Sequence, residues 1–454
     1  MKNAASGDSR VIVPVVERHV GDAAFYWSQL DRAAHSPLLG LQGLLHFEKL
    51  LTAHLEGIEE AAETGWHIAL GALRRWHDAG ELFVCAWLVF RLKPGQQADS
   101  RWHEMTQVLA TDPDRMLRGL VAAVLRMPPH VADYWVSRLL QPVQPTMLQV
   151  AAWRAVARRP RQTGSLQQKR IAELWESAAH SSNAYLRAAA CRAAVGIGHA
   201  RQVADLLSDV DRAVCAEAGI TTAQAGETEP GLRALWLALW GLAGELHQMS
   251  GAYRAQAEHR LARWTRHLGT LVPHGHGAVV ELLTLLPTRM ALALVLQHGD
   301  DRHLPWVRSH LSNPGCARMA GWVWASLLGV DLELLGLAHP PSRAQEQTHL
   351  PTDDLDPGLP LPDAKAIENF DVARIDPAYR LTNRLKTVEG CLDMLEHEPQ
   401  ALRSIAAGHL TRLNAEQSGG MVFFDTRADA RQQSHWINAI KARRAELEDT
   451  RGHS

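Results

Sequence analysis

Asn183-Ala-Tyr-Leu186-Arg187-Ala-Ala-Ala190 and Asp211-Arg-Ala-Val214-Cys215-Ala-Glu-Ala218 lie over one another at an offset of 28 residues. Each begins with a capping residue, places an aliphatic anchor three positions later and sets a small residue four positions after the anchor. That spacing puts anchor and small residue on one helix face, and the leading Asn or Asp can accept from the free N–H groups of the first turn. The pattern recurs as Leu117-Arg118 with Val121, Leu148-Gln149 with Ala152, Ala317-Arg318 with Gly321, and Leu402-Arg403 with Ala406. Together the six copies predict the inner helices of an all-α, HEAT-like α-solenoid, in which stacked helix pairs bury a shared core. Between Val214 and Ala317 the template is lost. There Leu232, Leu235, Trp236, Leu239 and Trp240 give a helix from periodicity alone.

Proline marks the ends of the repeat region. None occurs between Pro37 and Pro94, where Leu41, Leu44, Leu51, Leu55 and Ile58 recur at helical steps. Residues 1–95 are therefore expected to form an N-terminal helical domain and 96–339 the repeats. Asp112-Pro113, Gln144-Pro145, Asp209 and Asn313-Pro314 are placed to stop one helix and start the next, and Gly196 and Gly198 suit helix ends. Residues 340–362 hold 6 of the 22 prolines and Asp353, Asp354 and Asp356, which predicts a linker or surface loop. Residues 363–454 are expected to be a repeat-like helical satellite, with a short extended patch over Met421–Phe424.

The formal charge of −2 supplies no field that would steer the chain to nucleic acid or an anionic bilayer. The longest apolar run, Leu82–Phe90, is far shorter than the ~20 residues of a membrane span. Five scattered cysteines read as reduced core residues, and with no secretory leader in the first residues a cytoplasmic location is expected.

Local chemistry is sparse. Twenty-four histidines raise the question of a metal, yet none are three or four residues apart, and His274 and His276 on a glycine-rich loop would need ligands from elsewhere. No metal, cofactor or catalytic residue is expected. Arg118, Arg187, Arg318 and Arg403 share one repeat position, and reach upstream caps or carbonyls in the structural reading or form an exposed basic row in the functional one. Tryptophan supplies 15 of 27 aromatic residues. Trp236 with Trp240 and Trp322 with Trp324 are expected to fill gaps between helices, the alternative being interface anchors.

Several stretches resemble an uncharacterised proteobacterial family of HEAT-like repeat proteins often encoded near type VI secretion components. They are His19–Trp27 (HVGDAAFYW), Leu51–Gly65 (LTAHLEGIEEAAETG), Ala317–Leu332 (ARMAGWVWASLLGVDL), Asp353–Asp363 (DDLDPGLPLPD) and Phe424–Gln433 (FDTRADARQQ). The resemblance implies no catalytic residues. It suggests an adaptor, chaperone or immunity partner for secreted effectors. The expected function is thus a non-enzymatic, protein-binding scaffold, with an enzyme of unrecognised pocket or a nucleic-acid-binding repeat protein as the alternatives. Asp353, Asp354, Asp356, Arg427 and Arg431 lie in segments that break the repeat pattern, and are the expected partner contacts, the alternative being an acidic loop that wraps the solenoid and is clamped by those arginines.

Overall fold

A computed structural model describes residues 11–159, 166–340, 355–418 and 424–452. Among them the chain is helical throughout, and β pairing is confined to an isolated antiparallel bridge between Ala338 and Pro362. Residues 341–354 and 421–423 lie outside the described residues, so the acidic pair Asp353–Asp354 and most of the expected extended patch do as well.

The described residues form two compact units. The first comprises residues up to Ala34, Leu41–Ala178 and Arg427–Trp436, and the second His35–Gly40, Ala179–Thr426 and the chain from Ile437. The boundaries expected at 95 and 339 fall inside these units.

In the first unit, α1 (Val13–Arg32), α2 (Leu41–Glu60), α3 (Ala62–Trp76), α4 (Ala79–Arg91), α5 (Gln96–Leu109), α6 (Pro113–Leu125), α7 (Pro129–Leu139), α8 (Thr146–Val156) and α9 (Leu166–Ala179) follow in turn. Helix α4 is the centre, with Leu82, Phe83, Val84, Cys85, Ala86, Val89 and Phe90 all buried. Its neighbours include α1, α3 and α6. The α4–α6 approach is set by Gly119, where a Cβ would stand 2.1 Å from the Ala79 carbonyl oxygen. The N-terminus of α6 is capped as the sequence predicts, the Asp112 side chain accepting from Arg115 N–H, whereas α8 starts after Pro145 without a side-chain cap.

The second unit holds α10 (Ala184–Ile197), α11 (Arg212–Gln224), α12 (Thr228–Glu245), α13 (Gly251–Leu271), α14 (Ala278–Leu285), α15 (Thr288–His298), α16 (Leu304–Arg308), α17 (Ala317–Leu328), α18 (Ala364–Glu368), α19 (Leu381–Arg384), α20 (Val388–His397) and α21 (Gln400–Ser418). A last helix, α22 (Ala430–Gly452), closes the chain. All six template copies start helices: α6, α8, α10, α11, α17 and α21. Their anchors Leu117, Leu148, Leu186, Val214, Ala317 and Leu402 are buried, as are the small partners four residues on. Asn183 and Asp211 cap α10 and α11 through their side chains. Gly198 ends α10 in the left-handed region at φ 81°, whereas Gly196 lies within the helix.

Helices α10 to α13 pack each on the next, then α13 on α15 and α15 on α17. The C-terminal helices do not stand apart as a satellite. Helix α21 returns to pack on α13 and on α11. Its Leu402, Ile405, Ala406 and Leu410 share one core with Leu239, Leu261, Leu268 and Trp324. An open stack buries only sequence-adjacent layers, so this return makes the unit compact.

Candidate functional site

Of the expected contact residues that are described, Asp356 and Arg427 are engaged inside their own units. Asp356 is nearly buried and holds the Arg289 guanidinium in a two-pronged ion pair, one prong at 2.8 Å. Arg427 pairs with Asp31 at 3.0 Å. Arg431 keeps an exposed side chain. The repeat arginines also have structural partners. Arg187 donates twice to Asp209 at 2.8 Å and to the Ser181 carbonyl, Arg118 faces Asp31 and Asp78, Arg318 donates to the Leu359 carbonyl, and buried Arg403 donates to the Leu395 carbonyl. Arg187 and Arg403 thus reach upstream carbonyls as anticipated, whereas Arg118 and Arg318 take partners distant in sequence.

An unusual surface lies on α12. The helix is clamped to α11 by facing glycines: a Cβ on Gly219 would fall 2.6 Å from the Gly231 carbonyl oxygen, and one on Gly231 would fall 2.4 Å from that of Gly219. Arg212 and Glu245 fasten its far end through two hydrogen bonds of 2.8 and 2.9 Å. This fixes which face turns outward. Ala234, Leu235, Ala238, Leu239 and Leu242 are buried, while Leu237 is 61% and Trp240 41% exposed. Trp236, half-buried, stacks on Trp240 with ring centres 6.0 Å apart. The pair therefore does not simply fill an interhelical gap, unlike Trp324, which is fully buried. Exposed Arg233 lies one turn before Leu237.

A second constellation forms where α15 ends. Gly299, at φ 69°, turns the chain out of the helix, and Asp300 caps the following turn by accepting from Arg302 N–H. The result brings His298, Asp300 and His303 together, one candidate ligand atom from each lying within 4.8 Å of the others. His298 is wholly buried; its Nδ1 lies 3.2 Å from the Gly269 carbonyl oxygen, and its Nε2 has no hydrogen-bond partner. Burial and then neighbouring His274 push its pKa down to about 4, so the ring is neutral. A neutral imidazole has one N–H. With that proton on Nδ1 toward Gly269, the Nε2 lone pair is the atom left bare, 3.8 Å from Asp300 Oδ2.

The surrounding loop and helices hold this arrangement. His274 Nε2 lies 2.7 Å from the His298 carbonyl oxygen, and Gly275 N–H donates to Asp300. His409 Nε2 lies 3.0 Å from the Gln297 carbonyl oxygen, and burial pushes this histidine down to about 3. Asp300, though buried, is held down to about 2 by hydrogen bonds from Arg302 and Gly275. His276 is turned elsewhere, accepting from Ala278 N–H. The two histidines of the glycine-rich loop therefore do not act as a pair. The ligand-type cluster arises from spacing of two and five residues across a left-handed glycine.

Features expected of a nucleophilic enzyme are weak. Burial raises the Cys85, Cys191, Cys215 and Cys316 thiols and pushes Cys391 up to about 12, which suppresses thiolate. A shallow groove of about 570 Å³ on α7 is lined by His130, Asp133, Tyr134, Ser137, Arg138 and Gln141. Its charged groups are committed to ion pairs, Arg138 with Asp99 at 2.8 Å and Asp133 with Arg159 at 2.5 Å. No helix among the described residues is long and apolar enough to cross a membrane.

No protein-family model matches the chain, and no curated protein does. Among solved structures, the crystal structure of an engineered protein aligns over 88% of this chain and 99% of its own, at 15% identity and a TM-score of 0.26. That similarity is too low to carry an argument about fold or function.

Proposed function

We propose that this protein is a non-enzymatic helical scaffold that binds another protein, with the outward face of α12 as its anchor surface. The observation that supports the reading most is Trp240 with Leu237, large apolar side chains held in solvent on a helix whose opposite face is locked by glycine packing. Exposed tryptophan on a rigid element is the residue type that dominates binding hot spots. The partner has an apolar helix or strand face to cover Leu237 and Trp240 and an acidic side chain to meet Arg233. In the finer form of the proposal the stacked helices are HEAT-like repeats. The resemblance noted in the sequence makes a secreted effector of a type VI system the proposed partner, handled as by an adaptor, chaperone or immunity protein.

A photoreactive residue placed at position 237 and activated in cells of the native host tests the surface. The expected result is a discrete adduct whose mass exceeds that of the chain by one protein, absent when the same residue replaces exposed Arg18 in the first unit. The same adduct from both positions, or none from 237, would overturn the proposal.

A further inference from the structure

We propose that His298, Asp300 and His303 form a binding site for a divalent transition-metal cation, with Zn²⁺ the best fit. This site is independent of the scaffold reading. The donor set is two imidazoles and one carboxylate, the borderline nitrogen and oxygen ligands that zinc takes with one coordination position left over.

Three observations meet at one point. His298 is wholly buried, yet its Nε2 has no hydrogen-bond partner. A bare buried acceptor is uncommon, because leaving it unsatisfied is costly. Its Nδ1 faces the Gly269 carbonyl oxygen at 3.2 Å, which is the outer contact that fixes a metal-binding histidine in the tautomer with its Nε2 lone pair outward. Asp300 Oδ2 lies 3.8 Å from that Nε2, and one ligand atom from each of His298, Asp300 and His303 lies within 4.8 Å of the others. A tetrahedral ion with bonds of about 2.0–2.1 Å holds its ligand atoms roughly 3.3 Å apart. The cluster therefore needs a contraction of at most about 1.5 Å, supplied by rotamer shifts on a loop already fixed by the Gly275 N–H to Asp300 bond.

Arg302 is the competitor. Its guanidinium donates to both oxygens of Asp300 at 3.0–3.2 Å, and its side chain is largely exposed. A cation at Asp300 Oδ2 displaces that guanidinium into solvent. Removing the guanidinium must therefore tighten metal binding at this site, and would leave binding at a distant surface histidine unchanged.

The test uses the full chain, stripped with a chelator and titrated with Co²⁺ and then Zn²⁺. One equivalent of Co²⁺ is expected to give the intense visible bands of a four-coordinate site, displaced by Zn²⁺ and unaffected by Mg²⁺. Half-buried His303 is the safest position to change. His303→Ala should weaken binding at least about tenfold with an unchanged circular dichroism spectrum, Asp300→Asn should weaken it similarly, and Arg302→Gln should strengthen it several-fold. His298→Ala opens a void beside the core, so the proposal does not depend on that variant. Absence of one-equivalent binding, binding that survives His303→Ala, or indifference to Arg302→Gln would each overturn the proposal.

Discussion

Replacing Glu217 with glutamine tests the principal buried polar junction of the second unit. The carboxylate is 1% exposed and accepts from Arg192 Nη2 at 2.7 Å, Arg263 Nε at 2.9 Å and Arg263 Nη2 at 2.8 Å. Burial alone would raise its pKa, but the two guanidiniums prevail and hold it below the usual carboxylate range. Glutamine preserves the shape, removes the charge and turns an amide N–H₂ toward an arginine N–H. Two cations then face each other with no counter-charge. Removing one partner of a buried pair costs about 3–5 kcal/mol; because the arginine side chains are about a third exposed, roughly 3 kcal/mol is expected here. For a unit of this size that lowers the thermal midpoint by about 6–12 °C. The pH dependence has a definite sign. A depressed folded-state pKa contributes stability that is complete above the unfolded value, 4.5, and is lost as pH falls toward the folded value. The gap between the native chain and Glu217→Gln should therefore be constant near neutrality and shrink in acid. Calorimetric scans across that range read it, and equal midpoints at neutral pH or a gap independent of acid would refute the reasoning.

Two further outcomes follow from charged groups elsewhere. Glu48 accepts from Ala430 N–H with both oxygens, yet burial outweighs nearby Arg126 and raises its pKa from 4.5 to about 7. A raised acid gives stability that is complete below the unfolded pKa and lost as pH rises through the folded one, so the first unit should lose about 3 kcal/mol between pH 4.5 and 7. Glu48→Gln should flatten that slope in urea titrations. Asp356→Asn should lower stability by about 1–2 kcal/mol through the Arg289 pair, with partner binding unchanged; loss of the partner at an unaltered melting temperature would instead make this carboxylate a contact.

Helix positions were legible because their causes are local. Asn183 and Asp211 cap within three residues, and an anchor with a small residue four positions on needs only one turn to declare a buried face. What escaped was non-local. The return of α21 onto α13 joins residues more than a hundred positions apart, as in the contact of 3.0 Å between His409 and the Gln297 carbonyl oxygen. Glu217 occupies an outwardly polar position of its repeat copy, but its partners lie 25 residues before and 46 after, so only the fold reveals it as buried. Helical spacing rules pass over the 298–303 cluster because its side chains straddle a helix end. The available signal was His-Gly-Asp, a left-handed stop followed by a capping residue, which brings side chains of a turn back onto the last helical residue. The exposed face of α12 shows the same limit: periodicity placed Trp236 and Trp240 on a helix but could not tell which neighbours leave Trp240 in solvent.

The proposed role is tested most directly by comparative capture from the native host with the native chain and with Leu237→Glu, a change confined to the solvent face of α12. The account predicts that at least one protein is retained by the native chain, binds it directly when purified, and is lost with Leu237→Glu while the helical spectrum and melting temperature are unchanged. The same proteins captured by both chains, with equal affinity, would contradict it.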